Sequence, residues 1–193
     1  MKMKVRLFPP KQVFPVKRKA EGEKLFFLLK TKLLNIDEWG KHGSLSSYKL
    51  FDESGHSLAD KNLFVGIFIR ISLKATGKYD WVRVIDIYEA ADEFVITVQP
   101  TFDPTEEKPD KTVISHFFTD ASTNNFCLLK KNESVKFYVI GLNEKRNTNE
   151  TENIVESVRN LAINIGSSLG FQKSEWENFT HNFVKSAAEE ENI

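Results

Sequence analysis

Apolar residues recur along this chain with two different periods, and the change of period divides it. From Glu21, the positions Leu25, Leu28, Leu29, Leu33 and Ile36 follow the 3.6-residue spacing of an amphipathic helix, with Lys24, Lys30 and Lys32 on other faces. Asp37, Glu38 and Trp39 start a short further turn that Gly40 and Gly43 end. Beyond Gly43 the period falls to two. Phe64–Leu73 puts Val65, Ile67, Ile69, Ile71 and Leu73 on one face and Phe68 and Arg70 on the other. The same reading predicts strands at Tyr48–Phe51, Trp81–Tyr88, Phe94–Thr101, Thr112–Phe118, Asn125–Lys130 and Val135–Leu142, with an exposed loop at Phe102–Lys111 around Pro104 and Pro109. In Trp81–Tyr88, Ile85 and Ile87 point one way and Val82, Val84 and Tyr88 the other. That pattern predicts a curved sheet with apolar residues on both faces, or one enclosing a volume.

The helical period returns at the end. Ile154, Val155, Val158, Leu161, Ala162, Ile165 and Leu169 form one apolar stripe after a capping pair, Asn149 and Glu152. Gly166 and Gly170 are read as its end. Ser174 and Glu177 open a second helix with Trp176, Phe179, Phe183, Val184 and Ala187 on one side. The first is the candidate for the helix that covers the sheet; the second is expected over a sheet edge or in a subunit contact. At the N-terminus, Lys4–Phe8 and Gln12–Val16 read as short extended pieces separated by Pro9 and Pro10.

The fold class this predicts is α+β: a curved antiparallel sheet of about seven strands with an N-terminal helix and C-terminal helices packed on it. Residues 1–193 read as a single domain, with a basic, partly extended segment at 1–20 and a frayed tail at 189–193. The order of strand, broken helix (Glu21–Gly43), antiparallel run (Tyr48–Leu142) and C-terminal helix resembles the helix-grip fold of the START-like and Bet v 1-like proteins. The resemblance implies a sheet wrapped around the C-terminal helix with a hydrophobic cavity between them. It also implies an apolar ligand such as a lipid or sterol, or in some members cyclase activity or action on chaperones. One strand more than that family has, and a C-terminal helix broken at Gly166–Gly170, depart from its pattern.

Composition changes this picture little. Formal net charge is zero, so no global field draws the chain to nucleic acid. Charge is uneven: Lys2, Lys4, Arg6, Lys11, Lys17, Arg18 and Lys19 precede the first acid, and Glu189, Glu190 and Glu191 crowd the other end. The single cysteine, Cys127, excludes an internal disulfide, fits a reducing cytosol and alternates with Phe126 and Leu128 as a small buried hydrophobe would. There is no signal peptide or membrane span, so a cytoplasmic protein is expected. Metal-ligand spacing, phosphate loops, dinucleotide motifs and nucleophile elbows are absent, so no cofactor or metal is expected.

Candidate chemistry gathers in three places. Gly141–Asn149 is densely polar, with Asn143, Glu144, Arg146 and Asn147 ahead of the predicted helix. It reads either as an anion site at a helix start or as a connection whose asparagines cap and turn. Phe68, Arg70, Trp81 and Arg83 share a sheet face if their strands pair; they would stack a flat ligand or bind a carboxylate, or else the arginines pack their stems across the sheet. His116, beside Phe118, is a general base or a satisfied structural residue. Three functions follow in order. The first is binding of a small apolar or amphipathic ligand in a cavity of about 300–1,000 Å³ between sheet and helix. The second is a protein- or nucleic-acid-interaction module using the basic arm. The third is a cyclase- or hydratase-like enzyme with His116 or Glu144 as acid or base. An enzyme is the less favoured class. Oligomeric state is left open, a homodimer included.

Overall fold

In the computed structural model, residues 5–8, 14–15, 19–42, 46–73, 79–131, 134–145, 147 and 168–192 are described. The elements are β1 (Val5–Phe8), β2 (Phe14–Pro15), α1 (Lys19–Leu34), α2 (Ile36–His42), β3 (Ser46–Phe51), β4 (Phe68–Leu73), β5 (Tyr79–Glu89), β6 (Glu93–Pro100), β7 (Thr123–Lys131), β8 (Ser134–Leu142) and α3 (Ser168–Glu190). Strands β3 to β8 form an antiparallel meander. β1 lies antiparallel beside β8, which gives the order β1-β8-β7-β6-β5-β4-β3, and the two-residue β2 also pairs with β8.

The helices bury one face of this sheet. On α1, Leu25, Leu29 and Leu33 recur every four residues and are fully buried, as the helical period predicts. The helix breaks at Asn35, whose Oδ1 accepts the Asp37 N–H at 3.0 Å and so caps α2. Trp39 of α2 is buried, and its indole N–H donates to the Leu33 carbonyl at 2.9 Å, locking the two helices together. α3 lies on β7 and β8 through Phe179, Phe183, Val184 and Ala187, all buried. Ring centroids of Phe179 and Phe137 lie 5.7 Å apart, those of Phe183 and Phe137 5.3 Å, and those of Trp39 and Phe126 4.5 Å.

This changes the role expected of the second C-terminal stripe. The stripe from Trp176 to Ala187, expected over a sheet edge or in a subunit contact, packs on β8 and the edge strand β1 and is part of the main core. Gly170 does not end a helix and Ser174 does not begin one, because α3 runs unbroken from Ser168. A glycine inside a helix costs about 1 kcal/mol against alanine, and one buried phenylalanine returns more than that. The predicted helix Ile154–Leu169 lies, up to residue 167, outside the described residues, as do the Asn149 cap and Gly166. Glu190 and Glu191, expected in a frayed tail, meet Lys32 (2.6 Å) and Lys24 of α1.

Two strand readings change as well. Thr112–Phe118 is a loop, so six strands follow the helices and β1 completes the main path. Local side-chain bonds replace a ladder there: Asp110 Oδ1 accepts the Thr112 N–H at 2.9 Å, and His116 Nδ1 accepts the Phe118 N–H at 2.9 Å. The strand predicted from Phe64 begins at Phe68, because Phe64–Ile67 turns through Gly66 at φ 97°, a conformation that favours glycine. In β5 a bulge at Ile85 shifts the register between Val84 and Asp86. The extra residue puts Val82, Val84 and Ile87 on the helix-covered face together, where strict alternation separates them. The apolar residues on both sides of Trp81–Tyr88 thus come largely from a change of phase.

Phe183→Ala is expected to cost about 3–5 kcal/mol, the loss typical of a buried phenylalanine, read as a lower urea midpoint with an unchanged slope. Phe27→Ala, at an exposed α1 position, is expected to stay within about 0.5 kcal/mol.

Candidate functional site

The inner, helix-covered face becomes polar at one end. Along β7, period two carries the face from Leu128 through Phe126 to Asn124, which is 8% exposed. Asn124 stands opposite Val98 of β6 and Gly141 of β8. Its Oδ1 is buried and accepts no hydrogen bond. Beyond β8 the chain turns at Asn143, held at φ 51°, and Glu144 folds back so that a Cβ on Gly141 would overlap its carboxylate. Glycine at 141 therefore makes room for Glu144 beside Asn124. Both carboxylate oxygens of Glu144 are buried.

The turn is fastened from outside the sheet. Ser122 Oγ donates to the Asn143 carbonyl at 3.1 Å and accepts the Lys145 N–H at 3.2 Å. Thr119 N–H donates to the Lys145 carbonyl, and Asn147 N–H to that of Phe117, both at 2.9 Å. The Asn147 side chain, buried, donates to the carbonyls of Ile114 (2.8 Å) and His116 (3.2 Å). Asn143 and Asn147 thus turn and tie the chain. Arg146 lies outside the described residues.

His116 is buried under this strap, with Phe118 beside it at 5.9 Å between ring centroids. Burial pushes the imidazole below its usual 6.5, and the nearby Asp80 carboxylate opposes this. The Phe118 N–H also occupies the Nδ1 lone pair, which favours the neutral ring. Half-buried Asp80 moves up from its usual 3.8, first through burial, against the pull of His116 and a hydrogen bond from the Phe117 backbone. One imidazole nitrogen of His116 is therefore committed to holding its loop. On β7, burial pushes the Cys127 thiol up to about 12, so it stays protonated and unreactive.

Phe68, Arg70, Trp81 and Arg83 come together as the pairing requires: Phe68 is opposite Arg83, and Arg70 opposite Trp81. They lie on the other face of the sheet from α3. There Phe51, Phe68, Trp81 and Phe102 form a second, smaller buried cluster under the 101–118 loop. Of the ten candidate residues nine are described, and they fall into two groups: Phe68, Arg70, Trp81 and Arg83 on the outer face of the sheet, and His116, Phe118, Asn143, Glu144 and Asn147 at its polar end. Asn124, Ser122 and Asp80 were missed. A signal for Asn124 existed, since its alternation with Phe126 and Leu128 puts an amide on an apolar face.

An antiparallel meander flanked by an N-terminal strand, with a C-terminal helix laid across it, is the helix-grip arrangement of the START-like and Bet v 1-like proteins. Among solved structures, a hypothetical protein of Helicobacter pylori is similar over 96% of this chain and 88% of its own, with a TM-score of 0.52 and 10% identity. Ara h 8.0201 is similar over 96% of this chain and 99% of its own (TM-score 0.48, 13% identity). A START superfamily protein of Mycobacterium smegmatis is similar over 89% and 97% (TM-score 0.38, 7% identity). At 10% identity the likeness to the Helicobacter pylori protein is one of fold. No family model and no curated protein matches the sequence. No described helix is long and apolar enough to cross a membrane, and among the described residues no cluster of ligating side chains could hold a metal.

Because the fold holds His116 neutral, stability is full above about pH 6.5 and falls as the unfolded chain takes up the proton below it. Half-buried His42 shifts the same way. The urea midpoint is expected to drop between about pH 7 and pH 5, and His116→Asn, which keeps an acceptor for Phe118, to lose part of that slope. Asp80 has the opposite sign: its contribution is present at low pH and lost as pH rises through its raised value. Asp80→Asn is therefore expected to raise the melting temperature at neutral pH.

Proposed function

We propose that this chain binds a small amphipathic ligand with a hydrogen-bond donor at one end, seated on the inner face of the sheet where it turns polar. The observation that carries the reading is Asn124: a fully formed acceptor, 8% exposed, with no donor, at the end of an apolar strand face. An unsatisfied buried polar group costs about 1–3 kcal/mol, and a ligand hydroxyl or amine placed there would recover it. The Glu144 carboxyl, folded back over Gly141 opposite Asn124, keeps this end of the face polar. Val98, Phe126 and Val139 supply an apolar floor for the rest of the molecule. Further along, rings of Trp39, Phe126, Phe137, Trp176 and Phe179 already meet one another, so the ligand belongs at the Asn124 end. The resemblance to proteins that hold apolar ligands between sheet and helix supports the same placement.

Octan-1-ol, with a donor and an apolar tail, is expected to raise the melting temperature in a saturable way, and octanoate to do so weakly or not at all. Asn124→Leu is expected to abolish the response to octan-1-ol while raising the stability of the free protein by about 1–3 kcal/mol, because it removes the unsatisfied amide. A wild-type chain indifferent to octan-1-ol and free of co-purified ligand in native mass spectrometry would sink the reading, as would an Asn124→Leu variant that responds like wild type.

A further inference from the structure

The outer face of β3–β5 holds a second arrangement that an inner-face ligand does not use. Three rows cross these strands: Ser47, Ser72 and Tyr79; Lys49, Arg70 and Trp81; Phe51, Phe68 and Arg83. The middle row sets Lys49 directly opposite Arg70, a like-charge pairing that is unfavourable in a sheet. Lys49, Arg70 and Arg83 each lack a carboxylate partner among the described residues, whereas Lys30, Lys61 and Lys130 meet one. Glu53, an acid that feels Arg83 through space, is bonded to Lys111 at 2.9 Å.

The arginines are also held in place. The Arg70 guanidinium sits 4.9 Å from the Phe51 ring and 4.4 Å from the Tyr79 ring. The Arg83 guanidinium lies 5.5 Å from the Phe68 ring, and its Nε donates to the Gly66 carbonyl at 3.2 Å. Stacking on rings leaves the in-plane N–H groups directed and available. Two buried donors here have no acceptor: Arg70 Nε and Trp81 Nε1. Lys49, Arg83 and Tyr79 are exposed, so the patch is open.

We propose that Lys49, Arg70 and Arg83 form a binding site for an oxyanion, phosphate or carboxylate, carried on a small molecule with an aromatic body. Uncompensated cations on a rigid strand scaffold, with directed guanidinium N–H groups and orphan donors beneath them, match the acceptors of such a group. The exposed ring of Tyr79 is the surface offered to the aromatic body. The site lies on the opposite side of the sheet from Asn124 and is independent of the reading above.

The test is a titration of the full chain with phenyl phosphate, inorganic phosphate and benzoate, followed by the NMR signals of the arginine Nε–H groups and tryptophan indoles. Phenyl phosphate is expected to move Arg70 and Arg83 saturably and to leave the Trp39 indole, bonded to Leu33, in place. Benzoate alone binding assigns the site to carboxylates; phosphate and phenyl phosphate binding equally removes the aromatic part of the proposal. Arg70→Gln is expected to weaken phenyl phosphate about tenfold, the share of one charge-assisted hydrogen bond, and Arg70→Lys to recover only part. Arg83→Gln, at an exposed position, gives the same reading if Arg70→Gln does not fold. No shift at Arg70 or Arg83 with any of the three probes would overturn the proposal. So would undiminished binding in Arg83→Gln, or retention of a single-stranded oligonucleotide without binding of phenyl phosphate.

Discussion

Everything in this molecule is positioned by the contact between the aromatic stripe of α3 and the apolar rows of β7 and β8. Phe179 meets Phe126 and Phe137, Phe183 meets Phe137, and Trp39 of α2 closes the group from the other side. These rings are large, fully buried and mutually tilted, the geometry that aromatic pairs prefer. Shifting α3 along the sheet would open voids at several of them at once, and close-packed interiors resist that. The helix is therefore registered against the strands, and with it the ion pairs of Lys32 and Lys24 to its C-terminal end.

That registration decides where chemistry can sit. The aromatic contact occupies the middle of the inner face, so the inner face is left to polar groups only beyond Phe126. There the tight turn at Asn143, the missing side chain at Gly141 and the strap through Ser122 and Asn147 bring a carboxylate beside an unsatisfied amide. The two ionisable neighbours, half-buried Asp80 and buried His116, both shift towards their neutral forms, as groups removed from water do. On the outer face the balance is opposite. Arg70 and Arg83 are steadied by rings and meet no carboxylate among the described residues.

The bulge at Ile85 keeps the two faces distinct. Without it, Ile87 would leave the row of Val82 and Val84 and turn outward, and β5 could not stay apolar inside along its length. A single inserted residue corrects the phase and lets Arg83, on the outer side, sit against Gly66 before the change.

Much of this was legible in the residues. Periods of 3.6 and two located α1, the end of α3 and most strands, because each reflects one side of an element facing a core. That Phe68, Arg70, Trp81 and Arg83 share a face if their strands pair followed from alternation, but the register that sets Phe68 opposite Arg83 and Arg70 opposite Trp81 came from the structure. Thr112–Phe118 misled because its apolar residues are buried by the loop that carries them, with His116 and Asp110 taking backbone bonds a ladder would otherwise make. Gly170 misled because a local helix signal was weighed without the aromatic contacts that override it. The sequence by itself determined which residues share a face within each regular stretch, though not across the bulge at Ile85. Only the tertiary structure decided which face the helix covers and which groups lack a partner. Covering depends on rings from three distant segments meeting at once, and hydrogen-bond satisfaction depends on neighbours brought by other strands.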